Sequence, residues 1–268
     1  MMGAAIAVSG LYYYPIKACR GYALQTALLD ARGITHDRRF LIVDANDRFI
    51  TQREHARLAM IEPCVTDDAL ALTAPGMPPL TIETRAATAR RSVVIWRDTV
   101  EAIDQGEAVA RWLSEYLGET ARLVKFAEDV TRKVNAAYAR RPTDQTGFAD
   151  GYPLLLISQA SLDDLNTRLP SPLPMNRFRP NLVVSGTAPY AEDAWKQIRI
   201  GEVVLDVVKP CARCVTTTTD QHTAERGREP LATLATYRNS ERGVLFGQNV
   251  IHSRPGTLRV GAAVEIIA

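Results

Sequence analysis

Between residues 6 and 103 the chain is a succession of short β-type runs with almost no helical periodicity, and nothing else in it restricts the fold as strongly. Runs at 6–13, 22–29, 39–44, 48–51, 58–66, 69–73, 80–84, 92–96 and 100–103 are rich in branched and aromatic residues. Turn-forming stretches separate them, such as Asp44-Ala-Asn46-Asp47 and Gly76-Met-Pro-Pro79. Many strands at this spacing predict an antiparallel barrel or sandwich.

A helix is expected at 106–117, with Val109, Trp112, Leu113, Tyr116 and Leu117 on one face and Gly118 as its stop. Beyond it the pattern alternates. A strand at 122–126 is followed by a basic stretch holding Arg132, Lys133, Arg140 and Arg141. That stretch reads as a solvated loop, or else as an anion site or docking surface for an acidic partner. Ser158 is placed to cap a helix running to Leu169. Strands at 181–185, 197–200, 203–208, 249–252 and 258–260 follow, with a helix near 230–237. The expected fold is a β-rich α+β chain, with a β-barrel-like domain at 1–124 and a mixed β-barrel domain at 125–268.

Composition excludes several functions. Hydrophobic residues make up 46% and charged residues 23%, the balance of a globular protein with a sizeable core. A net charge of +2 is too small to predict nucleic-acid binding. No apolar run approaches the ~20 residues that span a bilayer, so no membrane partner is expected. The N-terminal residues read as a first strand and not as a signal peptide. Four scattered cysteines point to reduced thiols and a cytoplasmic location.

Residues 209–220 read Lys-Pro-Cys-Ala-Arg-Cys-Val-Thr-Thr-Thr-Thr-Asp. Cys211 and Cys214 suit a dithiol couple, half of a zinc site, or a single thiolate on a redox metal; two small buried residues in a turn is the plain alternative. Zinc needs further ligands, and Cys19, Cys64, His36, His55, His222 and His252 supply no second close pair. A dithiol couple favours a helix N-terminus. Here a strand at 203–208 and the β-branched run 215–219 place the pair between strands. Arg213 could bind an anionic ligand or pair with Asp220.

Further segments stand with it: Tyr14-Pro-Ile-Lys-Ala-Cys-Arg-Gly21, Asp37-Arg-Arg-Phe40, Phe178-Arg-Pro-Asn-Leu-Val-Val184, Tyr190-Ala-Glu-Asp-Ala-Trp195 and Phe246-Gly-Gln-Asn249. In this order, and across most of the chain, they resemble the MOSC family, in the branch that sets a β-barrel domain before the MOSC domain. The resemblance implies a molybdenum–molybdopterin cofactor with one protein thiolate on the metal. That thiolate is assigned by motif position to Cys214, with Cys211 second. Lys17, Arg38, Arg179 and Asn181 map to positions on the pterin and its phosphate. Gly151, Tyr152, Arg213 and Asn249 are further cofactor-binding candidates. Ala18 stands where relatives often carry serine, which removes a hydroxyl contact.

The activity implied is reduction of a small N-hydroxylated substrate such as an amidoxime, a hydroxylamine or an N-hydroxylated base. Asp220 is a candidate catalytic proton donor or, equally, a structural residue. Since the chain ends soon after its last strand, the electrons are expected from a separate iron–sulfur, haem or flavin protein with its own reductase. The basic stretch 132–141 is the candidate docking surface. The alternative is a cofactor or sulfur carrier using a persulfide on Cys211 or Cys214.

Overall fold

A computed structural model describes residues 5–268. Its largest sheet runs, from edge to edge, Tyr22–Leu24, Ala7–Tyr13, Leu182–Ser185, Leu154–Ser158, Gly243–His252, Val203–Ala212, Gln197–Ile200 and Val264–Ile266. All these neighbours pair antiparallel except Leu154–Ser158 with Leu182–Ser185, which are parallel. The helix Gln159–Thr167 fills the crossover that a parallel pair requires. Ser158 caps it as expected, its Oγ accepting from the Ser161 amide. The sheet buries Val8, Leu11, Leu156, Leu182, Leu205 and Val250 in one core.

A four-stranded sheet, Phe40–Asp44, Ala121–Phe126, Asp98–Asp104 and Arg90–Ile95, forms the second body with the three strands Glu62–Val65, Ala69–Thr73 and Leu80–Glu83. Phe40–Asp44 shows why its sequence is continuously apolar. Phe40 and Ile42 enter one core and Leu41 and Val43 another, so neither face meets water. The helix Glu107–Leu117 closes the first of these cores with Val109, Trp112, Leu113 and Tyr116. Gly118 ends it in the left-handed conformation.

The structure is strand-rich, with three α-helices among the described residues. Several boundaries differ from the sequence expectation. The run 22–29 is two strands: Tyr22–Leu24 pairs with Leu11–Tyr13, whereas Thr26–Asp30 pairs with Gly256–Arg259. The run 58–66 begins as a 3-10 turn, Ala56–Met60. The run 48–51 makes only isolated bridges. Hydrogen-bonded pairing also joins segments on both sides of residue 124, since Ala7–Tyr13 and Thr26–Asp30 each pair with strands of the second half. Among the described residues no helix is long and apolar enough to cross a membrane.

Candidate functional site

The strand Val203–Ala212 slips register against Gly243–His252 between Val207 and Lys209, and again between Pro210 and Ala212. Bulges bend a strand and re-aim its side chains. Asn249 Nδ2 donates to the freed carbonyls of Lys209 (3.2 Å) and Pro210 (3.5 Å). The bent end, Lys209–Ala212, lines a cavity of about 600 Å³ that Cys214 also lines. Eight of the lining side chains are cationic: Lys17, Arg38, Arg53, Arg177, Arg179, Lys209, Arg213 and Arg242. Asp150 is the one carboxylate among them.

Cys214 is the N-cap of a 3-10 turn, Val215–Thr218, and not a residue between two strands. The expected strand at 215–219 does not form because the threonines bond locally. Thr217 Oγ1 donates to the Cys214 carbonyl (3.0 Å) and Thr218 Oγ1 to the Val215 carbonyl (2.8 Å), which competes with a ladder. The Cys214 thiol lies 3.4 Å from Thr216 Oγ1. Burial alone would raise its pKa. Hydrogen bonds from Thr216 and from the Arg53 guanidinium outweigh burial and hold it below the ordinary thiol value. In contrast, burial pushes Cys19 up to about 12. All four cysteines are free.

Arg38 and Arg179 share a frame built on Tyr14. Their guanidiniums lie 4.3 and 4.2 Å from its ring centroid, and Tyr14 Oη donates to the Pro180 carbonyl (3.0 Å). Arg38 also donates to Asp37 (2.6 Å) and to Asn181 Oδ1 (2.8 Å), and Arg179 to the Cys19 carbonyl (2.7 Å). Asn181 in turn donates to the Tyr12 carbonyl and accepts from the Leu155 amide. Burial, with Arg38 close by, pushes Arg179 down to about 10 against the opposing effect of Tyr14. Ala18, Arg38 and Arg179 all have left-handed backbones, with φ of 70°, 46° and 54°. Such strain collects where a site has to be aimed.

Lys17 is buried at the cavity floor, paired with Asp150 and set over the rings of Phe49 and Trp96. Burial lowers its pKa in spite of Asp150. Asp150 is held well below the carboxylate range, because Lys17 and Arg38 overcome its own desolvation. Gly151 and Tyr152 line the cavity beside it. No atom lies within 4 Å of where a Cβ on Gly151 would stand, so packing within the protein does not require a glycine there.

For two residues whose roles the sequence leaves open, the structure shows the partners. Asp220 does not line the cavity. Its Oδ1 accepts from the amides of His222 and Thr223, and its Oδ2 from Arg177 Nη1 (3.0 Å). Burial would raise its pKa, but those donors lower it. In this structure Asp220 is therefore an acceptor within a turn, in keeping with its structural reading. Arg213 does not pair with Asp220. It donates to the Phe178 carbonyl (2.6 Å) and lies 3.0 Å from Cys211 Sγ.

The basic stretch is likewise not a uniform surface. Arg132 is buried and bonds Asp98 and the carbonyls of Gly147, Ala149 and Asp150, which shapes the loop carrying Asp150. Arg141 is tied to Asp144 and Asp206. Lys133 and Arg140 remain exposed.

Nine of the ten candidate residues thus line one cavity: Lys17, Arg38, Gly151, Tyr152, Arg179, Asn181, Arg213, Cys214 and Asn249. Arg53, Trp96, Asp150 and Arg177 join them without having been foreseen. Asp150 could have been found from its adjacency to Gly151; Arg53 and Trp96 stand in no motif.

The lining fits an anionic, phosphate-bearing ligand. It offers a large excess of cationic donors, a buried Arg213 Nε with no partner, and an open Gly151. Among the described residues no three His, Cys, Asp or Glu side chains come together to hold a metal ion. A metal at Cys214 would therefore draw its other ligands from the bound group.

Residues 5–120 match the MOSC N-terminal beta barrel domain and residues 143–265 the MOSC domain. The chain is 36% identical to human mitochondrial amidoxime-reducing component 1, across 97% of this chain and 82% of that one. It is 33% identical to bovine mitochondrial amidoxime reducing component 2, across 96% and 82%. A rice molybdenum cofactor sulfurase is 31% identical across 90% of this chain and 32% of its own length. With both domains matched in order and a relative 36% identical across nearly the whole chain, the chain belongs to the MOSC family.

Proposed function

We propose that this protein is a molybdenum-cofactor-dependent reductase of N-hydroxylated compounds. The observation that carries the reading is Cys214: a thiol set in the wall of a cavity dominated by cationic donors. The amidoxime-reducing names of its relatives support the substrate class. In this reading Lys17, Arg38, Arg179, Asn181 and Arg213 hold the phosphate and pterin, and Gly151 leaves room beside them. Asn249 keeps the bulged strand in place, and Cys214 supplies the protein ligand to the metal. When bound, the cofactor supplies two-electron chemistry at an open metal position.

For an amidoxime the balance is R–C(NH2)=N–OH + 2 e⁻ + 3 H⁺ → R–C(NH2)2⁺ + H2O. The electrons come from a separate iron–sulfur, haem or flavin protein. Asp150, being ionised, accepts hydrogen bonds and does not donate the proton. Its pairing with Lys17 fixes the ammonium at the cavity floor. Trp96 and Tyr152 wall the cavity, and Arg53 stabilises the thiolate at Cys214.

The test is molybdenum content per chain after expression in a cofactor-competent host, with amidoxime reduction driven by a reduced viologen dye. Wild-type protein should hold stoichiometric molybdenum and turn over. Cys214→Ser should lose both, whereas Cys211→Ser should keep the metal. A metal-free protein that carries labile sulfur would overturn this and favour the carrier role suggested by the sulfurase relative. The names of the amidoxime-reducing relatives place those proteins in mitochondria. For this chain we propose the cytoplasm, in keeping with four free thiols, and cell fractionation tests it.

A further inference from the structure

A second cavity, of about 500 Å³, shares the Arg53 and Trp96 wall with the first. The two differ sharply in charge. The first is overwhelmingly cationic, whereas the carboxylates of Asp44, Glu54 and Glu119 outnumber the guanidiniums of Arg48 and Arg53 in the second. Phe49 and Trp96 form its aromatic side, with ring centroids 4.8 Å apart. Trp96 is the partition. Its Nε1 donates to Asp150 Oδ1 (3.2 Å) in the first cavity, and the Arg53 guanidinium lies 4.6 Å from its ring centroid. Its φ of 56° belongs to the two-residue hairpin turn, Trp96-Arg97, that joins Arg90–Ile95 to Asp98–Asp104. Glu54 is fixed through Oε2 by the Thr51 amide and hydroxyl, and Glu119 meets His55 at 3.0 Å.

Resting on the reductase reading, we propose that this second cavity holds the carbon skeleton of an aryl N-hydroxylated substrate and receives its amidinium product. The reaction changes the charge of its ligand. An amidoxime is neutral near pH 7, and the amidine formed from it is a strong base that leaves as a cation. With the anionic cofactor taking up the cations of the first cavity, its one carboxylate, Asp150, is already engaged by Lys17 and Trp96 and leaves that cation no free partner there. The neighbouring cavity offers carboxylates and an aromatic wall, both of which attract a planar delocalised cation. The neutral N–OH end is therefore admitted past Trp96 towards Cys214, and the charged product is drawn back across the same partition.

Direct binding separates this proposal from the reductase reading, because it needs no turnover. Calorimetry on the purified protein uses benzamidinium as the cationic probe and benzamide as its neutral counterpart. The wild type should bind benzamidinium more tightly. Glu119→Gln should lower that preference by about fivefold, the upper range for a partly exposed charge pair. Phe49→Leu should weaken both probes together. Glu54→Gln serves as the second charge variant if circular dichroism shows Glu119→Gln misfolded.

In the molybdenum-loaded protein, benzamidinium should inhibit amidoxime reduction with the same order of potency across these variants. Equal binding of the two probes, or an unchanged preference in both charge variants, overturns the proposal whatever the enzyme's activity. Protein that discriminates the probes but never reduces an amidoxime sinks the reductase reading and leaves the pocket standing.

Discussion

Gly21→Ala tests whether the Tyr14 frame is rigid. Gly21 has no left-handed backbone, so an alanine there costs nothing in conformation. Its Cβ would instead stand 2.1 Å from Tyr14 Cδ1, 2.2 Å from Cε1 and 2.8 Å from the Tyr13 carbonyl oxygen. The ring cannot swing away freely, because it is buried, lies against two guanidiniums and is bonded through its hydroxyl to Pro180. Overpacking costs about 1–3 kcal/mol, and displacing the ring forfeits about 1 kcal/mol for the hydrogen bond. Each loosened cation–π contact adds about 1 kcal/mol. With two such contacts the expected loss is therefore about 4–6 kcal/mol, read from the urea midpoint. The decisive comparison repeats the substitution in a Tyr14→Ala background, where the ring clash is gone and only the approach to the Tyr13 carbonyl remains, so Gly21→Ala should cost markedly less. An equal cost in both backgrounds would refute the frame. In the Tyr14-containing protein, molybdenum retention should fall together with stability, since Arg38 and Arg179 move with the ring.

Asn181→Leu strands the Leu155 amide, the Tyr12 carbonyl and one Arg38 donor in a buried setting, and should cost about 3 kcal/mol by chemical denaturation. In metal-free protein, iodoacetamide at neutral pH should label Cys214 well before Cys19, as peptide mass spectrometry would show. Arg53→Met should move the pH midpoint of Cys214 labelling upward. Asp220 has a lowered folded-state pKa, so its contribution is present above its unfolded value of about 3.9 and is lost as pH falls through the folded value. Asp220→Asn should therefore flatten the acid limb of the stability curve without abolishing reduction; abolished turnover in folded, molybdenum-replete protein would restore it as a catalytic candidate.

The strands that sequence alone revealed are those whose pattern is local. The apolar run of Phe40–Asp44 and the one-sided helix Glu107–Leu117 needed no knowledge of their partners. The division of residues 22–29 at Gln25 was hidden, because it depends on Gly256–Arg259 pairing with only its second half. The same distinction governs the site. Lys17, Arg38, Arg179, Asn181 and Cys214 stand in recognisable motifs. Arg53 and Trp96 do not, and their importance arises only when the turn after Phe49 and the hairpin at Trp96 fold against the Cys214 loop. Asp220 is the converse case. Its place beside the motif suggested chemistry, and its three donors show a turn.

Those long-range contacts also decide whether the second half can stand by itself. Gln52 and Gln221 exchange reciprocal amide hydrogen bonds (3.1 and 3.0 Å), and Gln52 also donates to the Ala18 carbonyl (2.6 Å). This fully buried clasp binds the loop bearing Arg53 to the segment following Cys214. A fragment of residues 125–268 would lack the clasp, together with Lys17, Arg38 and Arg53. It would also expose the edge of Leu182–Ser185 that Ala7–Tyr13 normally covers, and the core surface filled by Val8, Leu11, Leu29 and Ile34. An uncovered strand edge beside bare apolar surface promotes association. The fragment should therefore aggregate or give a poorly dispersed NMR spectrum, and should not retain molybdenum. A monomeric, well-dispersed fragment would show that the MOSC segment folds without its partner strands. The two matched domains would then be separable bodies, whereas the pairing seen here makes them parts of one sheet and one site.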